Sequence, residues 1–245
     1  MSADPRPPLP RRTLAEETLI VLSLSLLASA VFAILSLLEH PLRGVTVPSV
    51  SQSTQLARQL FGLLFALAPV WLVAYLVRRS GEGLAGIGLA WDRPRPDIVR
   101  GLLLFVVVGL GGIGVYLGAV ALGVNRFVLP VPPLDHWWTV PVLLLNAVEA
   151  ALLEEVVVVA FLVTRLRQLG LTELAAIGAS ALLRGGYHLY QGWGGFLGNV
   201  AMGALFGFVF SRTRRAWPIL IAHFLLDVAA GTGYLLFREH LPGFA

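Results

Sequence analysis

The 245-residue chain contains no cysteine, and among its 18 basic residues there is not one lysine. Without cysteine there is neither a disulfide framework nor a thiolate metal site. Charge of either sign is scarce. Only 13% of residues are Asp, Glu, Lys or Arg, about half the ~25% of an ordinary soluble domain, which argues against a water-facing globular enzyme. What the chain has instead is apolar: 57% hydrophobic residues, 26 glycines and a mean hydropathy of +0.80. These numbers exclude disorder. The apolar residues come in runs of about 20, the length that crosses a ~30 Å hydrocarbon core. The expected fold is all-α, a polytopic integral membrane bundle of about seven transmembrane helices.

A net charge of +4 and a pI near 10.1 invite a nucleic-acid reading, but the arginines gather at the ends of the apolar runs and form no stripe. No nucleic-acid partner is expected; lipid is. The all-arginine choice fits a GC-rich coding sequence. Seven spans are expected, over Thr18 to Leu38, Ala57 to Val77, Val99 to Leu122, Trp137 to Val163, Leu174 to His188, Gly195 to Phe210 and Trp217 to Phe237. The fifth and sixth are short and rich in Gly and Ala, which suits interior helices at close approach. The first is read as an uncleaved span, because its apolar run continues past Ala28-Ser29-Ala30 to Leu38. The tail Met1 to Arg12 is expected to lack structure. With the N-terminus in the cytoplasm, 13 of the 18 arginines fall in inner segments and four in outer ones, as the positive-inside rule requires. Residues 1–140 would form the tail and first three spans, and 141–245 the functional core. Ser80 to Asp97 reads as a cytoplasmic connector, and Gly123 to Trp138 as a Pro-rich outer loop ending in an interfacial Trp137-Trp138 pair.

Ionisable side chains at mid-membrane are costly and mark function by default. Glu149, Glu154 and Glu155 lie in the fourth span, Arg184 and His188 in the fifth, Asn199 in the sixth, and His223 and Asp227 in the seventh. Helix rise places Glu154 ~21 Å before the turn near Gln168 and His188 ~24 Å after Thr172, so the two are level across the hairpin. His223 and Asp227, four residues apart, share a helix face. Glu154 and Glu155 point about 100° apart, so one should face a ligand and the other a neighbouring partner. Arg184, level with Glu155, is the expected partner, within salt-bridge reach.

Two adjacent glutamates in an apolar helix, a histidine one hairpin later and HxxxD in a terminal span resemble the CPBP (ABI) family of intramembrane proteases, related to the CAAX prenyl endopeptidases. The resemblance covers Asn146 to Tyr234. It implies that Glu154, with His188, activates water, that His223 and Asp227 stabilise the oxyanion, and that Glu155 belongs to the same catalytic set. Arg184 and Asn199 would contact substrate or support the catalytic residues. The implied activity is hydrolysis of a peptide bond in a hydrophobic or membrane-anchored peptide. The composition suggests a bacterial chain, in which prenylated substrates are not expected. Three departures from the family pattern stand out. The arginine of EExxxR is replaced by Val159, the phenylalanine of FxxxH by Arg184, and the closing asparagine by Asp227.

Other readings keep a place. Glu149 is off the stripe of Glu154 and has no assigned role. Asn199 reads as an interhelical hydrogen bond, Tyr187 and Tyr190 as interfacial anchors, and His40, His136 and His240 as solvated boundary residues. No cofactor is expected; Zn2+ is the alternative, since two histidines and carboxylates are adequate ligands, although HExxH is absent. Rival functions are a proton-coupled transporter and a non-catalytic immunity or scaffold protein of the same fold.

Overall fold

The structure, a computed structural model, describes residues 9–26, 29–30, 34, 52–123 and 137–237. His40, His136, His240, the prolines of the outer loop and much of the first expected span lie outside them. Among the described residues all regular elements are helical, and the fold is an all-α membrane bundle.

Helix α1 (Arg11–Ser23) begins inside the tail expected to lack structure and is interrupted by a turn at Leu24 and Ser25. The second expected span is two helices, α2 (Gln52–Ala66) and α3 (Ala68–Arg79), broken at Leu67. Pro69 explains the break: it sits in the first turn of α3, where its missing N–H is harmless, and it could not continue α2. After a single turn at Gly83–Gly86 comes α4 (Pro94–Ala121). The connector therefore ends at Arg93, earlier than its composition suggested, because Pro94 opens a helix as a first-turn residue.

The next helix is continuous in path but not in type. It starts as α5 (Thr139–Ala151), widens into a π-helix over Leu152–Phe161 and closes as α6 (Leu162–Gln168). Four successive valines, Val156 to Val159, occupy the π segment. β-Branched side chains crowd the tight α turn, and the i→i+5 pattern gives them more room. Ser180 of the neighbouring helix donates to Val158 O at 2.7 Å, satisfying a carbonyl within the widened ladder. A hairpin leads to α7 (Glu173–Tyr187), N-capped by Thr172, whose hydroxyl accepts from Ala175 N. A 3-10 turn (Leu189–Gln191) and Gly192, at φ 94°, then redirect the chain into α8 (Trp193–Thr213). Helix α9 (Trp217–Phe237) completes the bundle.

Helices α7 and α8 pack as closely as their small residues allow. A Cβ on Gly185 would lie 2.5 Å from Val200 Cγ2, and one on Gly203 would lie 3.0 Å from Arg184 Cδ and 3.1 Å from Ala181 Cα. Helix α9 lies against both α4 and α5. The π segment is buried at the centre, with Val157, Val159, Phe161, Phe206 and Phe210 in one core. Among the described residues, three helical stretches are long and apolar enough to cross a membrane: Gln59–Arg79, Pro94–Val115 and Trp193–Thr213. The outer face of α4 is a sheet of uncovered apolar side chains, including Leu103, Val107 and Leu110. Such a face belongs against lipid.

At the arginine-rich end of the bundle, Arg215 ties the connector to the turn before α9. Its guanidinium donates to Asp97 Oδ1 and Oδ2, to Asp92 Oδ1 and to Ala90 O, all within 2.9 Å. The hydrogen bond from Arg215 holds the Asp92 carboxyl below the ordinary carboxylate range.

Candidate active site

The polar residues of three helices converge on one guanidinium. Arg184 enters from α7, almost fully buried, with its ring of contacts set by the groove at Gly203. Its Nη1 lies 2.6 Å from Glu155 Oε1 and its Nη2 lies 3.1 Å from Glu154 Oε2. The Arg184–Glu155 pair is the one expected from helix depth. Contact with both glutamates is not. Adjacent residues on a helix diverge too far to share a small ligand, but the planar guanidinium presents separate donors on a fork, and the π-helical backbone changes how the pair is splayed. Phe206 lies beneath, with the guanidinium carbon 5.6 Å from the ring centroid, a favourable cation–π placement.

The two carboxylates have different surroundings. Glu155 has no exposed surface. Its Oε1 receives Arg184 and also His223 Nδ1 at 2.7 Å. Glu154 is held by Arg184 and by the Tyr187 hydroxyl, which donates at 2.8 Å, and both donors engage Oε2. The other oxygen, Oε1, faces His188 Nε2 at 3.9 Å. That separation is too long for a direct hydrogen bond and suits two groups sharing one water.

The histidine tautomers follow from their partners. His188 Nδ1 lies 3.1 Å from Arg184 O. A carbonyl can only accept, so Nδ1 carries the hydrogen and Nε2 presents its lone pair toward Glu154. The ring lies between Tyr187 and Tyr190, with centroids 4.8 and 6.2 Å away, which fixes its plane. Outside the spans, burial pushes the Tyr190 hydroxyl above its usual range, and it accepts from Gln191 Nε2 at 3.1 Å. His223 donates from Nδ1 to Glu155, and its Nε2 is 3.5 Å from Asp227 Oδ2. This imidazole thus lies between two carboxylates, with Arg184 Nη2 3.3 Å from its Nδ1.

The structure thus gathers Glu154, Glu155, Arg184, His188, His223 and Asp227. Asn199 is not brought in by any described hydrogen bond: its Nδ2 donates to Gly195 O one turn back in its own helix. The interhelical bond expected for it is corrected accordingly, since an amide one turn above a carbonyl on α8 can satisfy itself locally. Tyr187 was missed. It is buried, not an interfacial anchor, and its spacing gave a usable signal: Arg184, Tyr187 and His188 stand at i, i+3 and i+4, on one helix face. Glu149 also has a place. With Asp227 it lines a cavity of about 260 Å³ between α2, α5 and α9. Trp138 lines the same cavity and is buried, while Trp137 is exposed, so the expected aromatic pair is split.

Among the described residues, no three His, Asp or Glu side chains form a group suited to hold a metal ion. The place between Glu154 and Glu155 is filled by the Arg184 guanidinium.

Residues 136–229 match the family model described as type II CAAX prenyl endopeptidase Rce1-like. This segment is CAAX-protease-like. The matched range includes every member of the cluster, from Glu154 to Asp227. The match spans less than half of the chain, and it makes this segment similar to the CAAX-protease family. No curated protein and no solved structure matches the chain.

Proposed function

We propose that the chain is an intramembrane endopeptidase that hydrolyses a peptide bond in a hydrophobic or membrane-anchored peptide, with water activated by Glu154 and His188. One observation carries the reading: Glu154 Oε1 and His188 Nε2, the unengaged atoms of two otherwise fixed side chains, face each other at 3.9 Å. A water in that gap donates one hydrogen to each and turns its oxygen lone pairs to the substrate carbonyl. As the oxygen attacks, the first proton passes to Glu154. The carbonyl oxygen becomes an oxyanion and accepts from His223 Nε2–H, whose positive charge Glu155 and Asp227 support from either side. Collapse of the tetrahedral intermediate breaks the C–N bond, and Glu154 returns its proton to the leaving amine. The second hydrogen of the water stays on the new carboxyl group.

In this scheme Asp227 accepts and orients His223, which accommodates an aspartate where the family often has asparagine. Arg184 supplies from α7 the cation that EExxxR would place at Val159. A guanidinium between the glutamates supports a reaction that needs no metal. On the same reading the protein is a multi-pass chain of the cell membrane with a cytoplasmic N-terminus, its last four spans forming the catalytic core and lipid bounding its outer faces.

The test is cleavage of a hydrophobic peptide by purified protein in nanodiscs containing a metal chelator. Glu154→Gln and His188→Ala should each lower kcat at least ~100-fold, the scale of losing a positioned base, while both proteins keep wild-type unfolding temperatures. Full activity in Glu154→Gln would overturn the assignment of the base, and loss of wild-type cleavage on chelation would overturn the metal-free scheme.

A further inference from the structure

The cavity between α2, α5 and α9 has no part in the water chemistry above, yet its lining is unusual for a membrane interior. Around apolar walls such as Leu143 and Ala230 it collects Gln59, Thr139, Asn146, Glu149 and Asp227. Its charges are both negative, and among the described residues Glu149 has no ion-pair partner. An unpaired carboxylate inside a span is costly, and the cost is relieved by a proton or by a bound cation. Two further groups on the lining are unsatisfied. Thr139 is 3% exposed and its Oγ1 has no hydrogen-bond partner; the same holds for Gln59 Oε1, a buried atom. The cavity therefore offers two carboxylates and two further oxygens without hydrogen-bond partners. A ligand that fits must be cationic, rich in N–H groups and apolar along its stem.

Size narrows this further. At about 260 Å³, the cavity is smaller than the roughly 300–1,000 Å³ of sites that take a whole small molecule, and suits one long side chain. Its location does the rest. Asp227 belongs to the cavity and also lies 3.5 Å from His223 Nε2, the proposed oxyanion donor. A side chain seated there hangs from a residue next to the bond being cut. We infer that this cavity is a specificity subsite for a basic side chain, arginine or lysine, beside the scissile bond of the substrate, with Glu149 as the selecting carboxylate. The inference rests on the proteolytic reading and deepens it: the substrate is an apolar or membrane-anchored segment carrying one cation at the cleavage position.

The test pairs two hydrophobic peptides that differ only at that position, arginine against citrulline, its neutral isostere. In nanodiscs the wild-type protein should cleave the arginine peptide with kcat/KM at least about tenfold higher, the size of one charge-assisted hydrogen bond. Glu149→Gln should bring the ratio toward one and Glu149→Asp should restore part of it. Cleavage of both peptides at equal rates by the wild type would overturn the subsite and leave the protease reading standing. Should neither peptide be cleaved, binding of the same pair to Glu154→Gln decides: a tenfold preference for arginine keeps the subsite without the protease, and equal affinity overturns it.

Discussion

Arg184 is the residue on which the candidate site closes, because three acidic or imidazole groups lie within 3.3 Å of its terminal nitrogens. Removing it leaves Glu155, which has no exposed surface, beside another carboxylate with only His223 to hold it. Breaking a buried pair in this way costs about 3–5 kcal/mol. Arg184→Ala should therefore unfold at a clearly lower temperature in detergent, by circular dichroism, and Arg184→Lys should fall between, since an ammonium keeps the charge but not the fork. Equal unfolding temperatures for all three proteins would contradict the network. Much of this was legible in the sequence, because helix rise alone set Glu154 level with His188 and Arg184 level with Glu155. What composition could not give was direction. Tyr187 turns inward to Glu154 and Asn199 turns back on its own helix, choices decided by which acceptor each side chain reaches first.

At the scale of helices, the site depends on two departures from regular packing. One is the close contact of α7 with α8, where Gly203 leaves a passage for the Arg184 stem. Gly203→Ala should destabilise the protein by about 1–3 kcal/mol through overpacking and slow peptide cleavage with it. Gly178→Ala, on the same helix pair but with nothing within 4 Å of the added Cβ, should be neutral or stabilising by up to about 1 kcal/mol. A shared outcome for the two variants, in a thermal melt alongside an activity assay, would refute the steric account. The crowding of Gly and Ala in these spans announced close packing. The other departure, the π segment, left no such mark. A run of valines fits an ordinary buried helix equally well, and only the competition between α-turn crowding and the contacts of Glu154, Glu155 and Ser180 selects the wider form.

For the whole molecule, the absence of cysteine makes the proposed orientation easy to measure. In Arg93→Cys, on the connector, the thiol should react with an impermeant reagent only after the membrane is opened, whereas Trp137→Cys should react on intact cells. The reverse pattern would invert the topology. The bundle as such was readable from apolar runs and arginine positions, since both follow from the cost of placing charge in lipid. Breaks inside runs were less so. The division of the second run at Leu67 and the early start of α4 at Pro94 each depend on one proline. The tie from Arg215 to Asp97 joins residues far apart in sequence, which no local pattern announces.

The π segment also makes the aim of the site a matter of counting. In an α-helix one residue turns the chain by about 100°, and an i→i+5 stretch absorbs residues that an α ladder would not. The run Val156–Val159 stands between Glu154 and the hairpin that carries Arg184. Shortening it by a single valine would leave every polar residue of the cluster in the sequence. It would nevertheless tighten the wide stretch toward an α ladder, and so re-aim the glutamate pair within it relative to Arg184 and His223.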